Sequence, residues 1–268
     1  MDNKGITVDE KNICGFSVLT VDVLTPEAAA KLDRVIGRYV TIDVGTPMYQ
    51  LLSLRAIGEC LTKCLETVLE PYFGKRLCIC GLGNPSMPSD ALGPAVTQTL
   101  PLGVLSDFAP EGRRFADVCS VTPGIALHSN LETVRVVAAV VREAQADLVL
   151  LIDAIAATEP EQLCQRFHLS TAGGVRLYNG DRPDWSRVGV PVVSMGFPAA
   201  IAAADGERLL TDTRAAEAIA AAGSAIAYAI LRVGWPMLRP EEATLLLGGT
   251  ASNFEQAEEM GGSDNAAI

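Results

Sequence analysis

The chain is short of positive charge. Its 268 residues carry 21 lysines and arginines against 32 aspartates and glutamates, a formal net charge of −11. That balance argues against a nucleic-acid ligand, whose phosphates demand clustered cations. Histidines number two, His128 and His168. The helical pair Cys60-xxx-Cys64 therefore has no second Cys/His pair with which to build a tetrahedral metal set. The seven cysteines are odd in number and show no disulfide rhythm, so they read as reduced core thiols. No apolar run is long and uninterrupted enough for a membrane span, and Met1-Asp2-Asn3-Lys4-Gly5 lacks the basic-then-apolar pattern of a signal peptide. A cytoplasmic protein is expected. No Gly-x-Ser-x-Gly elbow occurs, which leaves a serine hydrolase unsupported. Gly81-Leu82-Gly83 lacks the third glycine of a dinucleotide fingerprint, and no glycine-lysine-Ser/Thr follows it, so nucleotide binding has no support either.

Hydrophobic residues make up 49% and charged residues 20%, a composition that supports a sizeable core. The chain reads as a single α/β domain over residues 1–248. Residues 1–46 form an N-terminal strand and helix portion packed on it, and a small-residue, acidic tail over 249–268 is expected to be disordered. Ser17–Val23 and Tyr39–Val44 are strand-like, and Thr25-Pro26-Glu27 opens a short helix with proline in its favoured first turn. Leu54, Ile57, Leu61, Cys64, Leu65 and Val68 mark one face of a long helix. From Arg76 onward strands and helices alternate. Arg76–Cys80, Asp117–Val121, Asp147–Ile152 and Val192–Met195 are strands, with helices over Asp90–Leu100 and Thr213–Val233. Ser129-Asn130-Leu131-Glu132 reads as a capping box opening a helix whose buried face carries Val134, Val137, Ala138 and Val141. His128 falls in the loop before it, His168 alternates with Phe167 and Leu169 in a strand, and Gly173–Arg187 looks like an exposed loop. Continuous apolar strands separated by helices predict a mostly parallel sheet covered on both faces.

The informative stretch is Gly81-Leu82-Gly83-Asn84, five residues, then Asp90-Ala91-Leu92-Gly93-Pro94. A glycine-rich turn leaving a buried strand lets backbone approach a ligand closely and delivers Asp90 to the rim of the sheet. Asp153, in Leu151-Ile152-Asp153-Ala154, ends another apolar strand. In an open parallel sheet, ligands bind beyond the carboxyl ends of the strands, where strand order reverses. Two carboxylates there can share a proton, one serving as general base toward water and the other as general acid toward a leaving amine. The same pair can instead hold a divalent cation that activates water. Helix capping is the structural alternative for Asp90, and a hydrogen-bonded strand end is that for Asp153.

These residues closely resemble the GLGN…DALGP signature of the spore germination protease family. Further blocks fall in that family's order: Gly37-Arg38-Tyr39-Val40-Thr41-Ile42-Asp43, then Thr122-Pro123-Gly124 with Glu132-Thr133, then Ile152-Asp153-Ala154-Ile155-Ala156-Ala157, then Gly189-Val190-Pro191-Val192-Val193 and Gly196-Phe197-Pro198. The likeness spans roughly residues 21–204. It implies a three-layer α/β/α fold with a mostly parallel mixed sheet, shared with hydrogenase maturation endopeptidases. It also implies an endopeptidase acting through Asp90 and Asp153, without a cofactor, on small acid-soluble spore proteins in a forespore or spore core, possible homo-oligomerisation included. Gly81, Gly83, Asn84, Gly93, Thr122, Pro123 and Gly124 carry over as site-shaping residues. The chain departs from the family at Ser170–Val175, where a glycine-rich run is missing, and at Phe197–Ala203, where a threonine and an aspartate are lost. Two further readings stay open. One is a non-catalytic, sporulation-associated homologue. The other is a metal-recognising, maturation-type peptidase, whose metal ligands would be Asp90, Asp153 and His168.

Overall fold

The computed structural model describes residues 5–51, 53–108, 112–173, 183–203 and 209–248. The tail expected over 249–268 and much of the Gly173–Arg187 loop lie outside them. Among the described residues, nine strands form one mixed sheet: β1 Ile6–Ile13, β2 Phe16–Val23, β3 Gly37–Asp43, β4 Arg76–Gly81, β5 Asp117–Val121, β6 Leu148–Ala157, β7 Arg166–Ser170, β8 Val192–Ala202 and β9 Leu209–Thr211. Their spatial order is β1-β2-β3-β7-β8-β6-β4-β5, with β9 paired to β8. The parallel part is the run β8-β6-β4-β5. The ladders joining β1, β2, β3, β7, β8 and β9 are antiparallel. The expected parallel sheet is therefore the half that carries the glycine turn, and an antiparallel extension occupies the other half.

The helices are α1 Pro26–Leu32, α2 Leu54–Leu69, α3 Leu92–Thr99, α4 Leu102–Phe108, α5 Ala126–Ser129, α6 Thr133–Glu143, α7 Ala215–Gly234 and α8 Pro240–Leu246. Side chains at alternate positions of a strand point to opposite faces, and the two faces have separate cores. Ile79, Leu150, Ile152 and Met195 pack against α2 and α7, whereas Cys78, Cys80, Val149 and Leu151 meet Val134, Val137 and Val141 of α6. The alanine-rich α7 is long and apolar enough to cross a membrane, but 67% of its apolar window is buried inside the protein. Its small side chains let it lie close against α2 and α3 as the central helix of one layer.

Several local expectations change. The hairpin strand β1 has no apolar alternation strong enough to announce it, and its middle residues are exposed on both sides. The capping box is absent: Ser129 ends α5, and α6 begins after Glu132, which makes no side-chain cap. His128 consequently belongs to a short helix and not to a loop. Within Gly173–Arg187, Trp185 is buried in a 3-10 turn instead of lying in an exposed loop. Strands β6 and β8 also run well past their expected ends at Ile152 and Met195. The cysteines are free; Cys60, Cys64, Cys78, Cys80 and Cys164 are buried, but Cys119 is half-buried and Cys14 is exposed in the β1–β2 turn.

Candidate active site at the carboxyl edge of the sheet

Strand β4 has β5 on one side and β6 on the other, so the chain leaving β4 enters the crevice where the winding direction reverses. The last rung of the β4–β6 ladder is Leu82 N–H donating to Ile152 C=O at 2.8 Å. The backbone then turns sharply at Gly83, whose φ of 118° is open to glycine and strained for other residues. A methyl group at Gly83 would stand 1.9 Å from the Asp90 carbonyl oxygen and 3.2 Å from its carboxylate Oδ1. Gly81 and Gly93 solve a second crowding problem. A Cβ on Gly81 would meet the Gly93 carbonyl at 2.2 Å, so the start of α3 rests directly on the end of β4.

That crossing holds Asp90 against the sheet. Asp90 ends a 3-10 turn over Pro88–Asp90 that packs on β6, β8 and α7. The Asn84 N–H donates to both the Asp90 carboxylate Oδ2 (2.9 Å) and the Asp90 carbonyl (3.0 Å). The Asn84 side chain instead accepts from Ser86 N–H at 3.0 Å and shapes the turn from within. Asp90 is no helix cap: α3 starts after Ala91 and has no side-chain cap.

Asp153 lies on β6, opposite Gly196 of β8, and is 7% exposed. It is a carboxyl group in an apolar wall. Burial first, and the neighbouring charge of Asp90 second, push its pKa up to about 8, opposed by the backbone N–H of Ala154. Burial also raises Asp90, while the Asn84 N–H pulls it back. The two aspartates thus face each other electrically across the β4–β6 crevice with unequal proton affinities. Both carboxyls are pushed up, Asp153 the further, so of the two it is Asp153 that binds a proton more tightly. Cys80 lies beneath: burial, then the charge of Asp153, push its thiol up to about 12 and keep it protonated.

Thr122 follows β5, and its hydroxyl lies 2.7 Å from that of Thr97 on α3, which itself donates to the Gly93 carbonyl at 3.1 Å. Thr122-Pro123-Gly124 is thereby tied to the glycine crossing, with Gly124 in the left-handed region at a φ of 70°. Sequence reasoning missed Thr97, although its position four residues after Gly93 on α3 places it one turn along the same face. It also missed Gly196 as a spacer: a Cβ there would stand 2.9 Å from Ile155 Cγ2.

His168 does not join the pair. It is opposite Gly196 on β7, and Gly196 is opposite Asp153, which puts His168 two strands, about 10 Å, from Asp153. Burial, helped by Arg166 and Arg34, lowers its pKa to about 4, and its Nδ1 meets Thr41 Oγ1 at 3.2 Å. Among the described residues, no group of three or more His, Cys, Asp and Glu side chains is arranged to hold a metal ion. Asp90, Asp153 and His168 do not form a metal-ligand set, because Gly196 and its strand separate His168 from Asp153. Cys60 and Cys64, both free thiols on α2, are joined by a hydrogen bond and not by a disulfide.

These features define an α/β protein with two unlike carboxyl groups at its strand-order switch. A family description, "Germination protease", matches residues 1–213, and the chain belongs to that family. Germination protease of Clostridium perfringens (strain 13 / Type A) is 28% identical over 214 residues, covering 75% of this chain and 64% of that one. Germination protease of Priestia megaterium is 30% identical over 226 residues, covering 78% and 59%. The chain therefore spans about three fifths of the length of the curated relatives it matches. A [NiFe] hydrogenase maturation protease, HycI from Thermococcus kodakarensis, overlaps 62% of this chain and 98% of its own at 22% identity with a TM-score of 0.37, too loose to bear on function.

Proposed function

We propose that the chain is an endopeptidase that hydrolyses peptide bonds with Asp90 and Asp153 acting as one unit. The carrying observation is the unequal pair itself: a buried carboxyl raised to about 8 beside a second, more accessible one. Ionised Asp90 takes a proton from water as the water oxygen attacks the scissile carbonyl carbon. Asp153 gives its proton to the leaving amine nitrogen as the C–N bond breaks. Transfer of the captured proton from Asp90 to Asp153 restores the resting state, and no proton is left over. Gly81, Gly83 and Gly93 keep Asp90 within reach of Asp153, Asn84 fixes its carboxylate, and Thr122-Pro123-Gly124 forms the neighbouring wall.

Membership in the germination protease family supports small acid-soluble spore proteins as substrates, and with them a spore-core, cytoplasmic setting. Incubation of those proteins with the wild-type chain and with Asp90→Asn and Asp153→Asn tests this reading. Cleavage by the wild type alone, with both variants still folded, is expected. Retained cleavage by both variants overturns it. The departures at Ser170–Val175 and Phe197–Ala203 favour one competing reading, a scaffold that binds without cutting; it predicts no cleavage by any of the three proteins.

A further inference from the structure

Strand β6 loses its neighbour on one side at the point where the acid pair begins. Its ladder with β4 runs from Leu148 to Ile152 and ends there, because β4 leaves the sheet through Gly83. On the other side β6 continues against β8 from Asp153 to Ala157. Among the described residues no strand covers the opposite edge of these five positions. The Ile152 carbonyl faces β4, so the backbone groups of Ala154 and Ala156, two and four residues on, face the same open side. The N–H of Ala154 turns toward the Asp153 carboxylate. Among the described residues, the Ala154 carbonyl and both backbone groups of Ala156 remain without a strand partner. The bulge in this region lies on β8, where Ala199 is the extra residue, so the alternation along β6 is undisturbed.

Ala154, Ile155 and Ala156 are half-buried. An unpaired backbone edge in such surroundings bonds either to water or to another chain, and an extended backbone matches its spacing of donors and acceptors. The side chains leave room for one. Ala154 and Ala156 are small, and Ile155 leans over Gly196, which has no side chain of its own.

We propose that the substrate binds here as an added β-strand, an extended polypeptide segment hydrogen-bonded to the free edge of β6 at Ala154 and Ala156. This rests on the peptidase reading, since the edge starts at Asp153 and a strand laid along it passes its backbone beside the acid pair. Selection is then for main-chain extension, with Ile155 as an apolar contact for one alternate side chain. Folded segments and helices are excluded because their amides are already bonded.

The test uses twelve-residue fluorescent peptides from a small acid-soluble spore protein, each carrying one backbone N-methyl group at successive positions. Binding to the Asp90→Asn variant of this chain is followed by anisotropy, and cleavage by the wild type is followed in parallel. N-methylation is expected to weaken binding about five- to tenfold at every second residue and to leave the intervening positions unchanged. Ala156→Pro, with its fold checked by circular dichroism, is expected to weaken binding of the unmodified peptide by a similar factor. If that variant fails to fold, the methyl scan decides alone. Uniform tolerance of methylation, or loss at consecutive positions, while cleavage still depends on Asp90 and Asp153, overturns strand addition and leaves the peptidase reading standing. A two-residue period in binding without cleavage by the wild type supports strand addition and overturns the peptidase reading. Neither binding nor cleavage overturns both.

Discussion

Replacing Asp153 by asparagine isolates the proton that the buried carboxyl retains. Asparagine keeps the shape of the protonated acid but cannot ionise. Burial, with the nearby charge of Asp90, pushes the Asp153 pKa up to about 8 in the folded protein, against an ordinary value of 3.8. Between those limits the folded state holds a proton that the unfolded state has released. Stability from this group is therefore complete at acid pH and is lost as pH rises toward 8, by about 1.4 kcal/mol per pH unit. His168 works in the opposite direction. Its folded value of about 4 lies below the ordinary 6.5, so stability from it grows as pH rises from 4 to 6.5. The two slopes oppose each other in the wild type below pH 6.5 and conceal the effect. The difference between wild type and Asp153→Asn removes the histidine contribution. Urea unfolding of both proteins at pH 5, 6, 7 and 8 is expected to show that difference moving by about 3 kcal/mol between pH 5 and 7, in favour of the variant at the higher pH. Parallel stability curves would show that Asp153 is ionised in the fold, and the assignment of acid and base would collapse with it.

Three further outcomes follow from the same geometry. The rate of peptide cleavage should rise as Asp90 ionises above the ordinary carboxylate range and fall as Asp153 loses its proton near pH 8; a rate that keeps climbing through pH 9 contradicts a protonated acid. Gly83→Ala should cut kcat/KM by about a hundredfold with the protein still folded, because the new methyl group must push the Asp90 carbonyl from 1.9 Å and carry the carboxylate with it; wild-type kinetics would refute that coupling. Gly58→Ala tests the core. Helix propensity alone favours alanine by about 1 kcal/mol. The new Cβ would stand 2.6 Å from Tyr228 Cδ1, on a ring whose hydroxyl bonds Glu59. Overpacking should win and the variant should lose about 1–3 kcal/mol in urea unfolding.

Much of the local geometry of the candidate site was legible in the sequence. A glycine next to a buried strand reports a local backbone demand, and Gly81, Gly83 and Gly93 mark the crossing that seats Asp90. The strands β4 and β6 were visible because strands buried on both faces have no polar alternation, and the face of α6 was visible because Val134, Val137, Ala138 and Val141 repeat at helical spacing. The failures were of another kind. Ser129 to Glu132 has the residues of a capping box, but a preceding turn of helix, α5, uses Ser129 first. Trp185 sits in a glycine-, proline- and asparagine-rich stretch, yet an apolar patch between α6 and β8 was there to receive it. β1 was invisible because an edge strand exposed on both faces needs no hydrophobic pattern.

What the sequence determined alone is local: where glycine is required, which faces are apolar, and which two acids follow buried strands. Tertiary structure decided the order of the strands, and so which acids meet. It decided that His168 stands apart with Gly196 between it and Asp153. It also decided the upward push on the Asp153 pKa, because a carboxyl group's proton affinity depends on the water taken from it and on the charge brought near it, and both arrive only when distant segments close around it.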